Sequence, residues 1–201
     1  MELETEFDYT IKILLLGDTT VGKTNIINMF IDKVFNQNYM TTSGMDIKNA
    51  SLEIQNKKLK VQLWDTCGQE KYKSITKTLF LKVQGILAVY DITNVESFTN
   101  LKNWINTIKE DGNQMKMMIV GNKSDLDAQR AVKKEEAIKY AQEEKIDYIE
   151  TSCKTGENIK EAIDDLAEQI YNKFSGNDLD KENNINLNEE KKEQEIKKCC
   201  K

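Results

Sequence analysis

Short apolar runs alternate along this chain with segments whose apolar residues return every three or four positions. Ile11-Lys12-Ile13-Leu14-Leu15-Leu16 has the length and character of a buried strand. Ile26, Ile27, Phe30 and Ile31 then recur at the spacing of one helix face. Two strand-like segments follow near 46–55 and 58–65, with Asn56-Lys57 as the expected turn. Gly85-Ile86-Leu87-Ala88-Val89-Tyr90 predicts a buried strand, and Phe98, Leu101, Trp104, Ile105 and Ile108 a helix. Met117–Val120 reads as a strand, 133–143 as a helix and Ile146–Ile149 as a short strand. A last helix carries Ala162, Ile163, Leu166, Ala167, Ile170 and Phe174 on one face. The stretches Asp32–Gly44 and 66–82 lack clear periodicity. This alternation predicts an α/β domain with a mostly parallel sheet.

From about Ser175 the composition shifts to Asn, Asp, Glu and Lys, with apolar residues too sparse to build a core. The expected organisation is a short extension at 1–8, a domain at 9–174 and a disordered tail at 175–201. A chain of 201 residues suits one domain and such a tail. No apolar run approaches the roughly 18 residues of a membrane span. The N-terminus Met1-Glu2-Leu3-Glu4-Thr5-Glu6 is acidic where a secretory leader is basic then apolar, so the expected location is the cytosol. A formal net charge of -5 argues against nucleic acid as the main partner.

Two scarcities narrow the chemistry. There is no histidine, which excludes histidine general bases and histidine-ligated zinc. Arg130 is the one arginine, so a mechanism needing an arginine near the phosphates must use Arg130 or borrow one from a partner. The four cysteines, Cys67, Cys153, Cys199 and Cys200, form no Cys-x-x-Cys pair and suggest neither a metal site nor a disulfide framework.

Between the first strand and the first helix stands Gly17-Asp18-Thr19-Thr20-Val21-Gly22-Lys23-Thr24, with the spacing of a phosphate-binding loop. A loop that runs into a helix N-terminus presents backbone N–H groups to phosphate oxygens, with the positive dipole end behind them. Gly22 lets backbone and phosphate approach closely. Lys23 is expected to reach the outer phosphates, and Thr24 to offer its hydroxyl to Mg²⁺.

Three further stretches fall at strand ends, where open α/β sheets bind their ligands. Leu63-Trp64-Asp65-Thr66-Cys67-Gly68-Gln69-Glu70 closes the third strand, and Asp65 can hold the metal through water. Asn122-Lys123-Ser124-Asp125 and Thr151-Ser152-Cys153-Lys154 follow two later strands. A carboxylate at Asp125 only accepts hydrogen bonds. Guanine offers it N–H donors at N1 and N2, whereas adenine lacks that pair and would strand the charge. The expected ligand is therefore a guanine nucleotide.

With these motifs in this order, residues 8–174 resemble the Ras superfamily of small GTPases and, within it, the Rab family. The resemblance implies the P-loop NTPase fold of a small GTPase, a six-stranded mostly parallel sheet flanked by five helices. It implies GTP or GDP with Mg²⁺ as the bound cofactors, and two loops that order around the γ-phosphate and relax after hydrolysis. By the same resemblance Phe35 stacks on the guanine, Tyr39 closes over the phosphates and Thr42 gives Mg²⁺ a second hydroxyl. Gln69, beside Gly68, orients the attacking water, while Ser152, Cys153 and Lys154 line the base pocket. Catalysis would rest on Gln69 and Lys23, and the metal on Thr24, Thr42 and Asp65. Ile47, Trp64 and Leu79 would form an apolar patch facing effectors.

Rab-like character rests on Tyr39–Lys48, which resembles the family's first-switch signature, and on Trp64-Asp65-Thr66. No insertion after Asp125 resembles that of the Rho relatives. The chain departs from the pattern at Ser43, at Leu79-Phe80-Leu81-Lys82-Val83, at a bulkier Thr20, and at Cys67 and Cys153, which replace alanines. Both cysteines are expected to be buried, inert thiols. The terminal Lys197-Lys198-Cys199-Cys200-Lys201 resembles a Rab prenylation end rather than a Cys-a-a-X box. Cys199 and Cys200 would then anchor the protein to the cytoplasmic side of intracellular membranes, alongside a cytosolic pool.

The expected activity is slow GTP hydrolysis in a GDP–GTP cycle that regulates vesicle trafficking. The expected partners are an exchange factor, an activating protein that supplies an arginine, an escort protein or GDP dissociation inhibitor, and effectors. Two readings stand beside it: a GTP-locked effector-binding module with little turnover, and an ATP-dependent kinase or ATPase, which Asn122–Asp125 disfavours.

Overall fold

The computed structural model describes residues 7–36, 45–66, 79–110 and 115–175. Its elements run β1 (Tyr9–Leu16), α1 (Lys23–Asp32), β2 (Met45–Ile54), β3 (Lys57–Thr66), β4 (Gly85–Asp91) and α2 (Val95–Glu110). They continue with β5 (Lys116–Asn122), a 3₁₀ turn (Ser124–Gln129), α3 (Lys134–Glu144), β6 (Asp147–Thr151) and α4 (Ile159–Phe174). Six strands form one sheet in the order β2-β3-β1-β4-β5-β6. Among the described residues only β2 and β3 pair antiparallel; every other neighbouring pair is parallel.

Burial explains the difference in strand composition. All seven residues of β4 are buried, because helices cover both faces of a central parallel strand. The outer strand β2 instead alternates half-buried and exposed positions over most of its length. The β2–β3 turn lies at Gln55-Asn56, one residue before the expected Asn56-Lys57, with φ of 52° and 62°. Positive φ at both central residues matches the right-handed twist of the two strands, and asparagine tolerates it well.

Two cores result, one on each face of the sheet. Ile11, Ile13, Leu15, Ile26, Val61, Leu87, Ile163 and Leu166 belong to one, on the side of α1 and α4. Leu14, Ile86, Ala88, Tyr90, Phe98, Ile105, Ile119 and Ala137 belong to the other, on the side of α2 and α3. Alternate residues of β1 thus feed opposite cores, as the two-residue period of a strand requires. The α2 N-terminus is capped by Asn94, whose Oδ1 accepts from Glu96 N at 2.9 Å and Ser97 N at 3.2 Å. With parallel strands, the carboxyl ends of β1, β4, β5 and β6 open onto one edge. The motif-bearing loops lie there.

Candidate nucleotide-binding site

The loop after β1 is shaped by its two glycines. Gly17 has φ 145°, and a Cβ there would stand 2.1 Å from the Val89 carbonyl oxygen. Gly22 has φ 102°, and a Cβ would stand 2.3 Å from Asn122 Nδ2. Both positions combine positive φ with a close contact, to backbone at Gly17 and to the Asn122 side chain at Gly22, that leaves no room for a Cβ. Thr20 also takes a left-handed conformation, at φ 66°, in the part of the loop where the sequence departs from the family pattern. Gly22 precedes α1, whose first turn has no acidic residue and no side-chain cap. The positive end of that helix therefore remains available to an anion.

Lys23 is 4% exposed, and its ammonium donates to the carbonyls of Gly17 and Asp18, each at 2.7 Å. This draws the side chain back across the mouth of the loop. Asp18 in turn accepts from Asn100 Nδ2 of α2 at 2.8 Å. Thr24 Oγ1 donates to Asp65 Oδ2 at 2.6 Å, bringing a hydroxyl and a carboxylate together across 41 residues. Hard oxygen donors of this kind, with one carboxylate, suit Mg²⁺, which keeps several waters and takes few protein ligands.

Asn122 ties the later motifs to this loop. Its Nδ2 donates to the Val21 carbonyl at 2.7 Å, while its Oδ1 accepts from Thr151 Oγ1 at 3.2 Å and from Cys153 Sγ at 3.5 Å. Lys123 adopts a left-handed conformation, φ 70°, and its ammonium meets Asp91 Oδ2 at 2.6 Å. Asp91 Oδ1 accepts from the amide and hydroxyl of Thr93, so the carboxylate is held from both sides. Ser152 is fully buried and donates to Asp125 Oδ1 at 2.6 Å, leaving an exposed Asp125 oriented at the site's edge. Burial pushes the Cys153 thiol up to about 12, so it stays protonated and inert. Lys154 is exposed, and Phe35 is half-buried against the core beside α1.

The structure thus gathers Gly17–Thr24, Asp65, Asn122, Lys123, Asp125, Ser152 and Cys153 at one sheet edge. Such an arrangement can hold a phosphate chain at the loop and a planar base beside Asp125. Residues 12–172 match the sequence model of the Ras family. The chain is 43% identical to Ras-related protein Rab-13 of Canis lupus familiaris over 171 residues, 85% of this chain and 84% of that protein. It is 42% identical to human Ras-related protein Rab-8B over 170 residues, 84% of this chain and 82% of that one. Ras-related protein Rab-10 of Diplobatis ommata is 39% identical over 195 residues, covering 96% and 97%.

The chain belongs to the Ras family, in its Rab branch. As a Rab small GTPase it binds guanine nucleotide and hydrolyses GTP, in a family that serves vesicle trafficking. Association with membrane follows from the Rab relatives, and among the described residues no helix is long and apolar enough to cross one.

The Rab assignment makes the expected outward patch worth locating. Ile47 is 40% exposed and Leu79 half-buried, but Trp64 is 8% exposed. Trp64 stands beside Leu14 in the β1–β3 register and packs with Phe80 and Val83, which turns its ring into the core. Exposed Met45 and Leu81 provide further apolar surface. Tyr39, Thr42, Cys67, Gly68, Gln69, Cys199 and Cys200 lie outside the described residues.

Sequence reasoning missed the residues that hold the motif residues in place. Asp91 was visible only as a strand-end aspartate in Asp-Ile-Thr, and Asn100 as a polar position on an amphipathic helix. Arg130 spends its guanidinium on Glu150, Asp127 and the Val132 carbonyl.

Proposed function

We propose that this Rab-family protein is a slow GTPase timer that cycles between GDP- and GTP-bound states on intracellular membranes. The observation that carries this reading is the lacing of the strand-end motifs to one another. Thr24 meets Asp65, Val21 meets Asn122, and Asp125 meets Ser152, each within 2.7 Å. Phosphate loop, metal carboxylate and base-reading motif are thereby held as one preorganised cradle.

In this cradle the loop amides and the Lys23 ammonium bind the phosphates, and Asp125 accepts from the N1 and N2 groups of guanine. Ser152, Cys153 and Lys154 border the base, with Phe35 stacking on it and Tyr39 closing over the phosphates. Thr24, Thr42 and Asp65 would hold Mg²⁺, which would supply charge neutralisation for the phosphates. Gln69 orients the water for attack. Arg130 is engaged at the base end by Glu150, which leaves the phosphates without an arginine of this chain. Intrinsic hydrolysis is then slow, on the order of 10⁻⁴ s⁻¹, until an activating protein supplies an arginine. An exchange factor resets the cycle, and effectors read the GTP state at a surface that includes Ile47 and Leu79.

Geranylgeranyl groups on Cys199 and Cys200 anchor the tail, two chains giving the stable attachment that one does not. An escort protein or dissociation inhibitor shields them in the cytosolic pool. Single-turnover phosphate release, with and without cell extract, tests the timer. Slow release accelerated by extract supports it; release at kinase-like rates without a partner, or none in either condition, overturns it. Intact mass of the native protein tests the anchor, and a mass lacking prenyl additions removes it.

A further inference from the structure

Arg130 and Glu150 form a second closure of the loop pair that carries the base-reading residues. Arg130 Nη1 donates to Glu150 Oε1 at 2.8 Å and Nη2 to Oε2 at 3.1 Å, the parallel two-bond pairing that fixes a guanidinium in plane and angle. Nε donates to Asp127 Oδ1 at 2.7 Å, within the same 3₁₀ turn. The Glu150 side chain is 9% exposed, and Tyr148 Oη also donates to its Oε1 at 2.7 Å. Lys134 Nζ stands 3.5 Å from Oε2. Burial raises the cost of the carboxylate, but the bonds from Arg130 and Tyr148 outweigh it and hold its pKa below the ordinary value. The Tyr90 and Tyr148 hydroxyls lie 3.1 Å apart over Gly121, where a Cβ would meet them at 2.8 and 3.1 Å. In the β5–β6 register Gly121 faces Glu150.

These contacts close a ring. One side is the segment from Asp125 to Arg130, which includes a break in helical geometry at Leu126. The other is Glu150, Thr151 and Ser152. Ser152 and Asp125 close one end at 2.6 Å, and Arg130 and Glu150 close the other. Backbone bonds from Ala131 and Val132 to the Ile92 carbonyl hold the far end of this segment. The paired Arg130–Glu150 contact adds an in-plane restraint between the segment and the strand that carries Ser152.

The geometry points to Arg130 as a positioning residue for guanine recognition, acting through Glu150 to set the angle at which Asp125 meets the base. This rests on the reading of Asp125 as the guanine acceptor. Loosening the Arg130–Glu150 pair should misplace the Asp125 carboxylate while leaving the phosphate loop intact. The loss then falls on the base contacts, above all on the bond to the exocyclic N2 amine.

The experiment compares GDP with inosine diphosphate, which lacks that amine, in Arg130→Lys, Glu150→Gln and an Asp125→Ala control. Dissociation constants for both nucleotides are measured well below each variant's melting temperature. Arg130→Lys keeps the charge but loses the paired geometry, and Glu150→Gln keeps the shape but loses the charge, so either variant alone decides the question. The expected result is that GDP affinity falls more than inosine diphosphate affinity, because inosine keeps only the N1 contact with Asp125. The preference for GDP then shrinks by about tenfold, the scale of one hydrogen bond to a charged group. Adding Arg130→Lys to Asp125→Ala should change the ratio no further, because both act through one carboxylate. A merely structural role would weaken both nucleotides alike and leave the ratio at its wild-type value; that result overturns the proposal. If Asp125→Ala also leaves the ratio unchanged, the reading of Asp125 itself fails, and the two failures are thereby told apart.

Discussion

Asn122 Nδ2 donates to the Val21 carbonyl at 2.7 Å, joining residues 101 positions apart. The bond is buried, and it makes the base-reading motif a structural support of the phosphate loop. The two halves of a nucleotide site therefore share one side chain.

Removing that side chain should cost more than one base contact. Asn122→Ala leaves the buried Val21 carbonyl without its donor, a penalty of about 1–3 kcal/mol. GDP release, followed by stopped-flow fluorescence, should accelerate by roughly 10- to 100-fold, with a lowered melting temperature. Gly22→Ala should act in the same direction, since its Cβ would lie 2.3 Å from the same nitrogen at φ 102°. Release at the wild-type rate in both variants would show that the two halves are not coupled.

The Thr24–Asp65 pair predicts a specific metal dependence. In the wild-type protein, chelation of Mg²⁺ by EDTA should speed GDP release strongly. Thr24→Ala should release GDP fast from the outset and respond weakly to EDTA, because the hydroxyl held 2.6 Å from Asp65 is gone. A variant that keeps the full EDTA response would remove Thr24 from the metal site.

Gln69→Leu should bind GTP normally but fail to orient water. Single-turnover hydrolysis should drop at least about tenfold and should not recover with cell extract, leaving the GTP form trapped. Hydrolysis at the wild-type rate would assign water placement to another group.

Cys153 should be invisible to alkylating reagents in the folded protein. It is 4% exposed, and burial pushes its thiol from 9.0 up to about 12. Iodoacetamide at pH 8.5, read by peptide mass, should label Cys153 only after denaturation. A raised pKa on a group neutral when protonated means that the native state binds the proton more tightly. Its contribution to stability is complete below pH 9 and is lost as pH rises from there toward 12. Melting temperatures of Cys153→Ala across that window should fall less steeply than those of the parent.

Much of this architecture was written in local pattern. The apolar runs and helical periodicities placed each described strand and α-helix to within a few residues, because strands and helices bury their faces with different periods. The expectations for Gly17–Thr24 and Asn122–Asp125 rest on the particular residue types at short spacing that phosphate and guanine each demand. The β2–β3 turn slipped by one residue, since Asn56-Lys57 and Gln55-Asn56 look alike until strand register decides between them.

What remained hidden was contact between distant segments. Trp64 reads as an outward aromatic by analogy, yet the β1–β3 register sets it beside Leu14 in the buried cluster that also holds Phe80. Asn100, Asp91 and Glu150 carry no motif of their own; each matters because the sheet brings it to Asp18, Lys123 or Arg130. The sequence by itself determined the fold class and the order of the strand-end motifs, because these depend on neighbours along the chain. Only the tertiary structure decided how those pieces are braced against one another. Hydrogen-bond geometry over a few ångströms is set by packing, and no spacing in the sequence records it.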